Sequence, residues 1–137
     1  EMCIRDRSKL MGEKQRASNP NVKSEPTLES IINIFRYLDS EGVKIIGALD
    51  MGMSRADFNK AAASAWVHVE WLGFDHWKAI RSITITNAEA LRIEKSKGLI
   101  SEGFDADVVF YNNDPAVNIR NLVFNPRHVI KNGEIVF

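Results

Sequence analysis

A short apolar run in the middle of the chain limits what this sequence can fold into. Residues 43–49 read Val-Lys-Ile-Ile-Gly-Ala-Leu, with a single charge and three β-branched side chains. Because polar and apolar residues do not alternate, the run predicts a strand buried on both faces, as in parallel sheets. One strand of this kind cannot cover both of its faces or pair both of its edges. The sequence therefore predicts an α/β fold in which other strands surround this one.

Helical patterns flank the predicted strand on both sides. Thr27 is a predicted N-cap, and Gly42 is predicted to end the first helix in a left-handed conformation. After the strand, Ser54-x-x-Asp57 resembles a capping box with a short acid, and Gly73 is predicted to close the second helix. The apolar stripes of the two helices consist of Leu28, Ile31, Ile32, Phe35 and Leu38, then Phe58, Ala61, Ala62, Ala65, Val69 and Leu72.

Two shorter helices are predicted next. Asp75 is a candidate N-cap for a helix that carries Trp77 and Ile80, and Thr86-x-x-Glu89 predicts the start of another over Ala90, Leu91 and Ile93.

The last part of the chain changes to a β pattern. Val108–Tyr111 predicts a strand that ends in an Asn-Asn-Asp-Pro turn, and Asn121–Phe124 is a weaker strand candidate. Arg127–Ile130 and Glu134–Phe137 flank Asn132-Gly133, which is a strong hairpin signal because both turn residues tolerate positive φ.

Composition excludes several classes of protein. The 137 residues include 18 Lys and Arg against 18 Asp and Glu, so the net charge of zero gives no reason to expect nucleic acid or a membrane as partner. No apolar run approaches the about 20 residues of a membrane span. A single Cys excludes a disulfide framework and a cysteine-based zinc site. The length corresponds to about one domain of ordinary soluble composition.

The first seven residues carry a different signal. Residues 1–7 read Glu-Met-Cys-Ile-Arg-Asp-Arg, which matches a translation of the transposon end used to tag sequencing libraries. We therefore expect this segment to be an adapter scar, outside the fold. We also expect the chain to be the C-terminal piece of a longer protein, so localisation stays open. Residues 8–26 are predicted to be a loop.

From Gly73 to the C-terminus the motifs resemble those of the metal-dependent amidohydrolase superfamily, especially imidazolonepropionase-like members. The most specific part is Gly103-Phe104-Asp105-Ala106-Asp107-Val108-Val109, and the resemblance extends less securely upstream through residues 42–50. The other matching motifs are Gly73-Phe74-Asp75, Lys78-Ala79-Ile80, Thr84, Asn87-Ala88, Gly98-Leu99-Ile100, Asp114-Pro115 and Asn132-Gly133.

The resemblance implies the C-terminal part of a (β/α)8 TIM barrel together with part of a small composite β-sandwich domain. Residues 27–93 would form the barrel segment, with residues 43–49 as its eighth strand and residues 55–93 as closing helices. Residues 94–137 would form the sandwich segment.

Asp50 is the candidate catalytic residue. It follows the predicted strand, at the end where barrel enzymes place catalytic groups. The resemblance implies that Asp50 lies at a divalent metal, accepts a proton from the metal-activated water and passes it to the leaving nitrogen. The alternative is an Asp that only caps a turn. Family members usually have Gly-Ser/Thr-Asp, whereas this chain has Gly47-Ala48-Leu49-Asp50.

Other chemically active residues have simpler interpretations. His68 and His76 do not have metal-motif spacing, and the resemblance assigns no role to them or to His128, so we expect partly exposed or hydrogen-bonded histidines. Gly103-x-Asp105-Ala106-Asp107 is expected to be a turn that starts a strand. The three tryptophans are expected to pack in a core or at a domain interface, with stacking on a ligand as the alternative. Met51 and Met53 are expected either to line the barrel mouth or to fill gaps. The tryptophans are Trp66, Trp71 and Trp77.

The sequence thus predicts a fragment of a hydrolase that acts on a carbon–nitrogen bond other than a peptide bond, including those in cyclic amides. Its partner would be a small-molecule substrate, and its cofactor a divalent metal, expected to be zinc, held mostly by residues outside this chain. The alternatives are a non-catalytic barrel relative and an independent binding module. Substrate and oligomeric state are not visible in the sequence.

Overall fold

The computed structural model describes residues 27–48, 61–123 and 126–137. These residues form helices followed by a small antiparallel sheet, which is the predicted order except that no strand is found at residues 43–48. No helix in these ranges combines the length and apolar character needed to cross a membrane.

The first helix, α1, spans Leu28–Ser40 and begins as predicted. The Thr27 hydroxyl accepts a hydrogen bond from the Ser30 backbone N–H at 3.1 Å, which satisfies one of the free donors of the first turn. Gly42 follows the helix with a φ of 80°. The chain then reverses, and the Val43 N–H bonds to the Leu38 carbonyl oxygen at 3.0 Å. This turn leads α1 directly into the apolar run.

The apolar run differs from the expected doubly buried strand. Residues 43–48 are not helical, and they belong to no hydrogen-bonded strand among the described residues. The alternate residues Ile45 and Gly47 are buried, whereas Ile46 and Ala48 are exposed, and Val43 at the start of the run is exposed as well. One face therefore packs on helices and the other is open, because the described residues supply no neighbouring strands to cover it.

The second helical pattern is described only from Ala61 onward. Helix α2 spans Ala63–Val67 and continues as a π-helix over His68–Leu72. Gly73 ends it with a φ of 76°, as predicted, and its N–H bonds to the Val69 carbonyl oxygen at 3.2 Å. The predicted start of this helix lies outside the described residues.

Two short helices follow. Helix α3 spans His76–Ser82, and the Asp75 carboxylate caps it by accepting from the Lys78 N–H at 2.9 Å, as predicted. Helix α4 spans Ile85–Leu91, so its predicted start at Thr86 is wrong. Thr84 occupies the N-cap position without a side-chain cap. Burial of Ile85 and Ala88 on one face explains the earlier start.

The predicted hairpin and its neighbouring strand are confirmed. Strands β1 (Val108–Phe110), β2 (His128–Lys131) and β3 (Glu134–Ile135) form an antiparallel sheet in that order. In the β2–β3 turn, Asn132 has a φ of 52° and Gly133 a φ of 83°, the left-handed pair that the sequence signal requires.

The weaker strand candidate at Asn121–Phe124 is wrong for its described residues, 121–123, and Phe124 lies outside the described residues. The chain forms a 3₁₀ helix over Ile119–Leu122 instead, capped by the Asn118 side chain, which accepts from the Arg120 N–H at 3.1 Å. Ile119 and Leu122 are both buried. Residues three apart lie on the same side of a 3₁₀ helix, so this geometry buries both, which a strand would not do.

The core joins the apolar run to the helices. Its buried members come from residues 43–48, α2, α3, the turn before α3 and the 3₁₀ helix: Ile45, Ala65, Phe74, Ala79, Ile119 and Leu122. The middle of the apolar run is therefore fixed against the helical layer.

Candidate functional site

Asp50, the predicted catalytic residue, lies outside the described residues, together with Met51, Met53 and the Ser54–Asp57 motif. The described part of the apolar run ends at Ala48. The candidate site is therefore defined by the groups that bind the described end of the apolar run, at Gly47.

Gly47 is held by hydrogen bonds from two helices. Its N–H donates to the carbonyl oxygen of Ser82, the last residue of α3, at 2.9 Å. Its carbonyl oxygen accepts from the Nδ2 of Asn87, within α4, at 2.7 Å. We call these two bonds the Gly47 anchor. Both polar backbone groups of one residue are thus fixed to the same helical pair.

Only glycine fits at this position. A Cβ on residue 47 would lie 2.3 Å from Cγ2 of Ile83 and 2.8 Å from Oγ of Ser64. Both separations are well below van der Waals contact, and Ser64 is almost fully buried on α2. Three helical elements therefore converge on Gly47, and the missing side chain allows the close approach.

A buried histidine lies behind the anchor. The Ser82 hydroxyl donates to the Ala79 carbonyl oxygen at 2.6 Å, so it accepts from the protonated Nδ1 of His68 at 2.8 Å. The His68 ring also meets Phe74 edge-on, with 5.5 Å between ring centroids. Burial lowers the pKa of His68, which favours its neutral form. His68 is thus a hydrogen-bonded structural histidine, as predicted.

The other two histidines lie elsewhere. The Nδ1 of His76 is 2.6 Å from the Ala116 carbonyl oxygen, which can only accept, so this nitrogen carries a proton. His128 lies exposed on β2. Among the described residues, no three His, Cys, Asp or Glu side chains form a group able to hold a metal ion. The described ranges alone therefore do not provide a metal centre.

The tryptophans have different surroundings. The Trp66 ring faces the Arg120 guanidinium, with 5.1 Å to the ring centroid, and its Nε1 donates to Glu70 at 3.1 Å. Trp71 is half-buried. Trp77 is 65% exposed, so it does not pack in the core of the described residues, and its place at a domain interface stays a prediction. These contacts support the expectation that Trp66 packs against neighbouring side chains.

The aspartates before β1 form an ion-pair cluster. Asp107 binds the Lys97 ammonium at 2.7 Å, the Lys131 ammonium at 2.5 Å and the Asn132 N–H at 2.9 Å. These three donors hold the pKa of Asp107 well below its usual range. The Gly103-x-Asp105-Ala106-Asp107 motif therefore forms the predicted turn before a strand, here β1. It also ties that turn to the β2–β3 hairpin, which the sequence did not predict.

An open cavity of about 1190 Å³ borders the end of the apolar run at Gly47 and Ala48. Its walls are mainly apolar and come from α3, α4 and the small sheet, including Ile83, Val109 and Phe137. Asn87 is also among the residues that line this cavity. The polar anchor thus lies at the edge of an apolar hollow.

Comparison with known proteins decides the family. The model of the amidohydrolase family matches residues 8–136, which is nearly the whole chain. The chain belongs to the amidohydrolase family. The resemblance inferred from the Gly73–Phe137 motifs is confirmed.

Solved structures show the same relationship. This amidohydrolase chain is similar to a putative prolidase from Bifidobacterium longum, with 25% identity and a TM-score of 0.73, over 77% of this chain and 26% of that one. It is also similar to a Xaa-Pro dipeptidase with bound methionine in the active site, with 33% identity and a TM-score of 0.68, over 77% and 25% of the two chains.

A third neighbour agrees at the level of fold. It is the A. niger ochratoxinase, with 23% identity and a TM-score of 0.65, over 78% of this chain and 24% of that one. A comparison with curated proteins finds no match. The amidohydrolase chain thus spans about a quarter of the length of these solved structures.

Sequence reasoning missed the role of two residues in this amidohydrolase segment. Asn87 was noted only as a motif position and Ser82 was not noted. The partner of Asn87 lies 40 positions away, and Ser82 acts through its backbone carbonyl. Neither hydrogen bond to Gly47 could have been predicted from a local sequence pattern.

Proposed function

We propose that this chain is the C-terminal part of an amidohydrolase that hydrolyses an amide C–N bond. In that parent enzyme, residues 43–49 form the eighth strand of a (β/α)8 barrel, and residues 94–137 contribute to a composite β-sandwich. The observation that carries the proposal is the family match over residues 8–136.

Asp50 is the residue of this chain that we assign to catalysis. It follows the Gly47 anchor by three positions, at the end of the strand where barrel enzymes place reactive groups. Its carboxylate accepts a proton from the attacking water and passes it to the leaving nitrogen, which would otherwise depart as a poor, anionic leaving group.

A divalent metal, expected to be zinc, supplies activation of the water when it is bound. The described residues contain no group of three potential ligands, and a catalytic zinc site normally needs three protein ligands. The other ligands would therefore come from the rest of the parent enzyme. The part assigned to this chain is the movement of a proton at the Asp50 carboxylate.

The solved neighbours suggest which amide to test first. The Xaa-Pro dipeptidase is 33% identical to this chain, and a second neighbour is described as a putative prolidase. We therefore propose a small substrate whose scissile amide nitrogen belongs to an amino acid, with Xaa-Pro dipeptides first, which departs from the non-peptide bond expected from the sequence. Cyclic amides, expected from the sequence resemblance, form the comparison set.

The test uses the full-length enzyme, recovered from the genomic sequence upstream of Ser8. We expect hydrolysis of at least one of the two substrate sets. Asp50→Asn should lower kcat by about 10²- to 10⁴-fold, the usual contribution of a general acid–base group. Asp75→Asn is the matched control, because Asp75 is an exposed helix cap that asparagine can replace.

Two results would contradict the proposal. If Asp50→Asn kept the wild-type kcat, Asp50 would not have the assigned catalytic role. The family resemblance implies a metal-binding His-x-His motif after the first barrel strand of the parent enzyme. Failure of the wild-type enzyme to hydrolyse either set, together with the absence of that motif upstream, would favour a non-catalytic barrel relative.

A further inference from the structure

We infer that Asn132 is a modification site: its side-chain amide deamidates spontaneously to aspartate and isoaspartate, and hydrogen bonds between the β2–β3 turn and the turn before β1 (residues 103–107) slow the reaction in the folded chain. The inference goes beyond the proposed amide hydrolysis, and it uses only contacts among the described residues.

The first step is the identity of the next residue. Asn132 precedes Gly133, and this is the only Asn-Gly pair among the 137 residues. Deamidation begins when the backbone nitrogen of the next residue attacks the side-chain amide carbon. A side chain on that residue hinders the attack, and glycine has none. Both residues are exposed, so water reaches the reacting atoms.

The second step is the reaction itself, which consumes one water. The Gly133 nitrogen loses its proton and bonds to Cγ of Asn132, while the Cγ–Nδ2 bond breaks and the amide nitrogen leaves with that proton as ammonia. Water then opens the cyclic imide at one of its two carbonyls. Opening at Cγ gives aspartate, and opening at the backbone carbonyl gives isoaspartate, in which the main chain runs through Cβ and Cγ. Because no other reactant is needed, asparagine is a thermolabile residue.

The third step is the hydrogen bonding of the attacking nitrogen. The Gly133 N–H donates to the Ala106 carbonyl oxygen at 3.0 Å, and the Asn132 N–H donates to Oδ1 of Asp107 at 2.9 Å. Ring closure requires the Gly133 nitrogen to lose its proton and swing toward the Asn132 side chain. Both bonds oppose that rotation, and the first also retains the proton. In the folded chain the reaction therefore needs a local opening of the turn.

Asp107 is the side chain that holds this turn closed. Besides the Asn132 N–H, it binds the ammonium of Lys131, the residue before Asn132, and that of Lys97. These donors hold the pKa of Asp107 well below its usual range, so its carboxylate stays ionised at neutral and alkaline pH. Loss of this side chain should make the turn open more often, while the backbone bond to Ala106 remains.

The products differ from the native turn in shape and charge. Strands β2 and β3 pair Ile130 with Ile135 and Lys131 with Glu134 across a two-residue turn. Isoaspartate lengthens the main chain of that turn, and either product places a new negative charge beside Asp107. Because the turn fixes the register of a hairpin, the isoaspartate form should lose this pairing.

The experiment measures deamidation of Asn132 in the full-length enzyme and in its variants Asp107→Ala and Asp105→Ala, at mildly alkaline pH and at a temperature where circular dichroism shows them to be folded. A protease that cuts after arginine releases a peptide that starts at His128, and residues 128–137 contain no other Asn or Gln. Mass spectrometry therefore assigns a gain of about 1 Da within these residues to Asn132.

We expect folded wild type to deamidate at least about tenfold more slowly than the same protein denatured in guanidinium chloride, since only the opened turn reacts. Asp107→Ala should react about 3- to 10-fold faster than folded wild type, the effect of losing one hydrogen bond. Should Asp107→Ala not fold, Asp107→Asn keeps the acceptor without its charge, and a smaller rise is expected.

Asp105→Ala is the matched control. Asp105 pairs with the same Lys97, but among the described residues it makes no hydrogen bond to the β2–β3 turn. Its deamidation rate should stay within about twofold of wild type, because an exposed ion pair contributes little.

Three results would overturn the inference. Denatured wild type without the mass gain would show that Asn132 is not a modification site. Equal rates in folded and denatured wild type would show that the fold does not slow the reaction. A rate in the Asp107 variant no higher than that of Asp105→Ala would show that Asp107 does not hold the turn closed.

Discussion

His68 shows at the scale of one residue how packing decides protonation. The ring contacts Phe74 and donates to the Ser82 hydroxyl, and its burial lowers the pKa. In the unfolded chain, in contrast, the imidazole is solvated and its pKa is about 6.5. Between the two values the unfolded state binds more protons than the folded state, so acidification favours unfolding.

We therefore predict that the melting temperature falls as the pH drops below about 6.5, toward the lower pKa of folded His68. The variant His68→Gln keeps a donor for Ser82 but cannot titrate in this range, so its melting temperature should change less between pH 7 and pH 5. Calorimetry at several pH values measures both slopes. Equal slopes in the two proteins would show that His68 does not carry the effect.

Single residues also mark the limit of inference from sequence. The spacing of His68 and His76 was enough to predict structural histidines, because a metal pair needs a pattern that these residues lack. Asn87 lies in a helical stretch whose pattern gives no hint that its amide binds a backbone 40 positions away. Tertiary hydrogen bonds of this kind leave no periodic signal.

At the scale of elements, local chemistry predicted the boundaries best. Thr27, Asp75 and Gly73 act where the sequence placed them, because caps depend on a few neighbouring residues. The same holds for the Asn132-Gly133 turn. The strand predicted at Asn121–Phe124 overlaps a 3₁₀ helix at Ile119–Leu122, because a short apolar run does not distinguish extended from 3₁₀ geometry until its packing is known.

Asp107 joins two of these elements, and we predict that Asp107→Asn lowers the melting temperature at low salt. Asparagine keeps an acceptor for the Asn132 N–H but loses attraction to Lys97 and Lys131. The difference from wild type should shrink at high salt, because exposed ion pairs are screened. Asp105→Asn, which removes a single pair with Lys97, should have the smaller effect.

The pH dependence of this variant provides a second check. The pKa of folded Asp107 lies well below its usual range, so its contribution to stability is complete above about pH 4 and is lost as the pH falls through the folded pKa. Melting curves should therefore show a smaller acid-induced decrease for Asp107→Asn than for wild type. The melting-temperature difference between Asp107→Asn and wild type could instead be independent of salt, with the same acid-induced decrease in both proteins. That result would mean that the ion-pair cluster does not stabilise the hairpin.

In the molecule as a whole, the described apolar run is buried on one side only. Ile45 packs on the helical layer, whereas Ile46 is exposed, and the open cavity beside Ala48 has mainly apolar walls. The sequence predicted burial on both faces, and its family resemblance predicted the surrounding barrel. The exposed face agrees with that interpretation, since this chain corresponds to about a quarter of each solved neighbour.

We predict that the 137-residue chain on its own self-associates and binds a hydrophobic dye, because many large apolar side chains are exposed, including Ile46 in the apolar run and Val109 and Phe110 in the sheet. Ile46→Ser should reduce both effects, since Ile46 lies on the exposed face of the run. Val117→Ser removes a residue that is even more exposed but lies in a turn after Pro115, so it should change little. Size-exclusion chromatography with dye fluorescence compares the three proteins. A monomeric wild-type chain that melts cooperatively and binds no dye would instead support an independent module, and the open face of the apolar run would then need no strands to cover it.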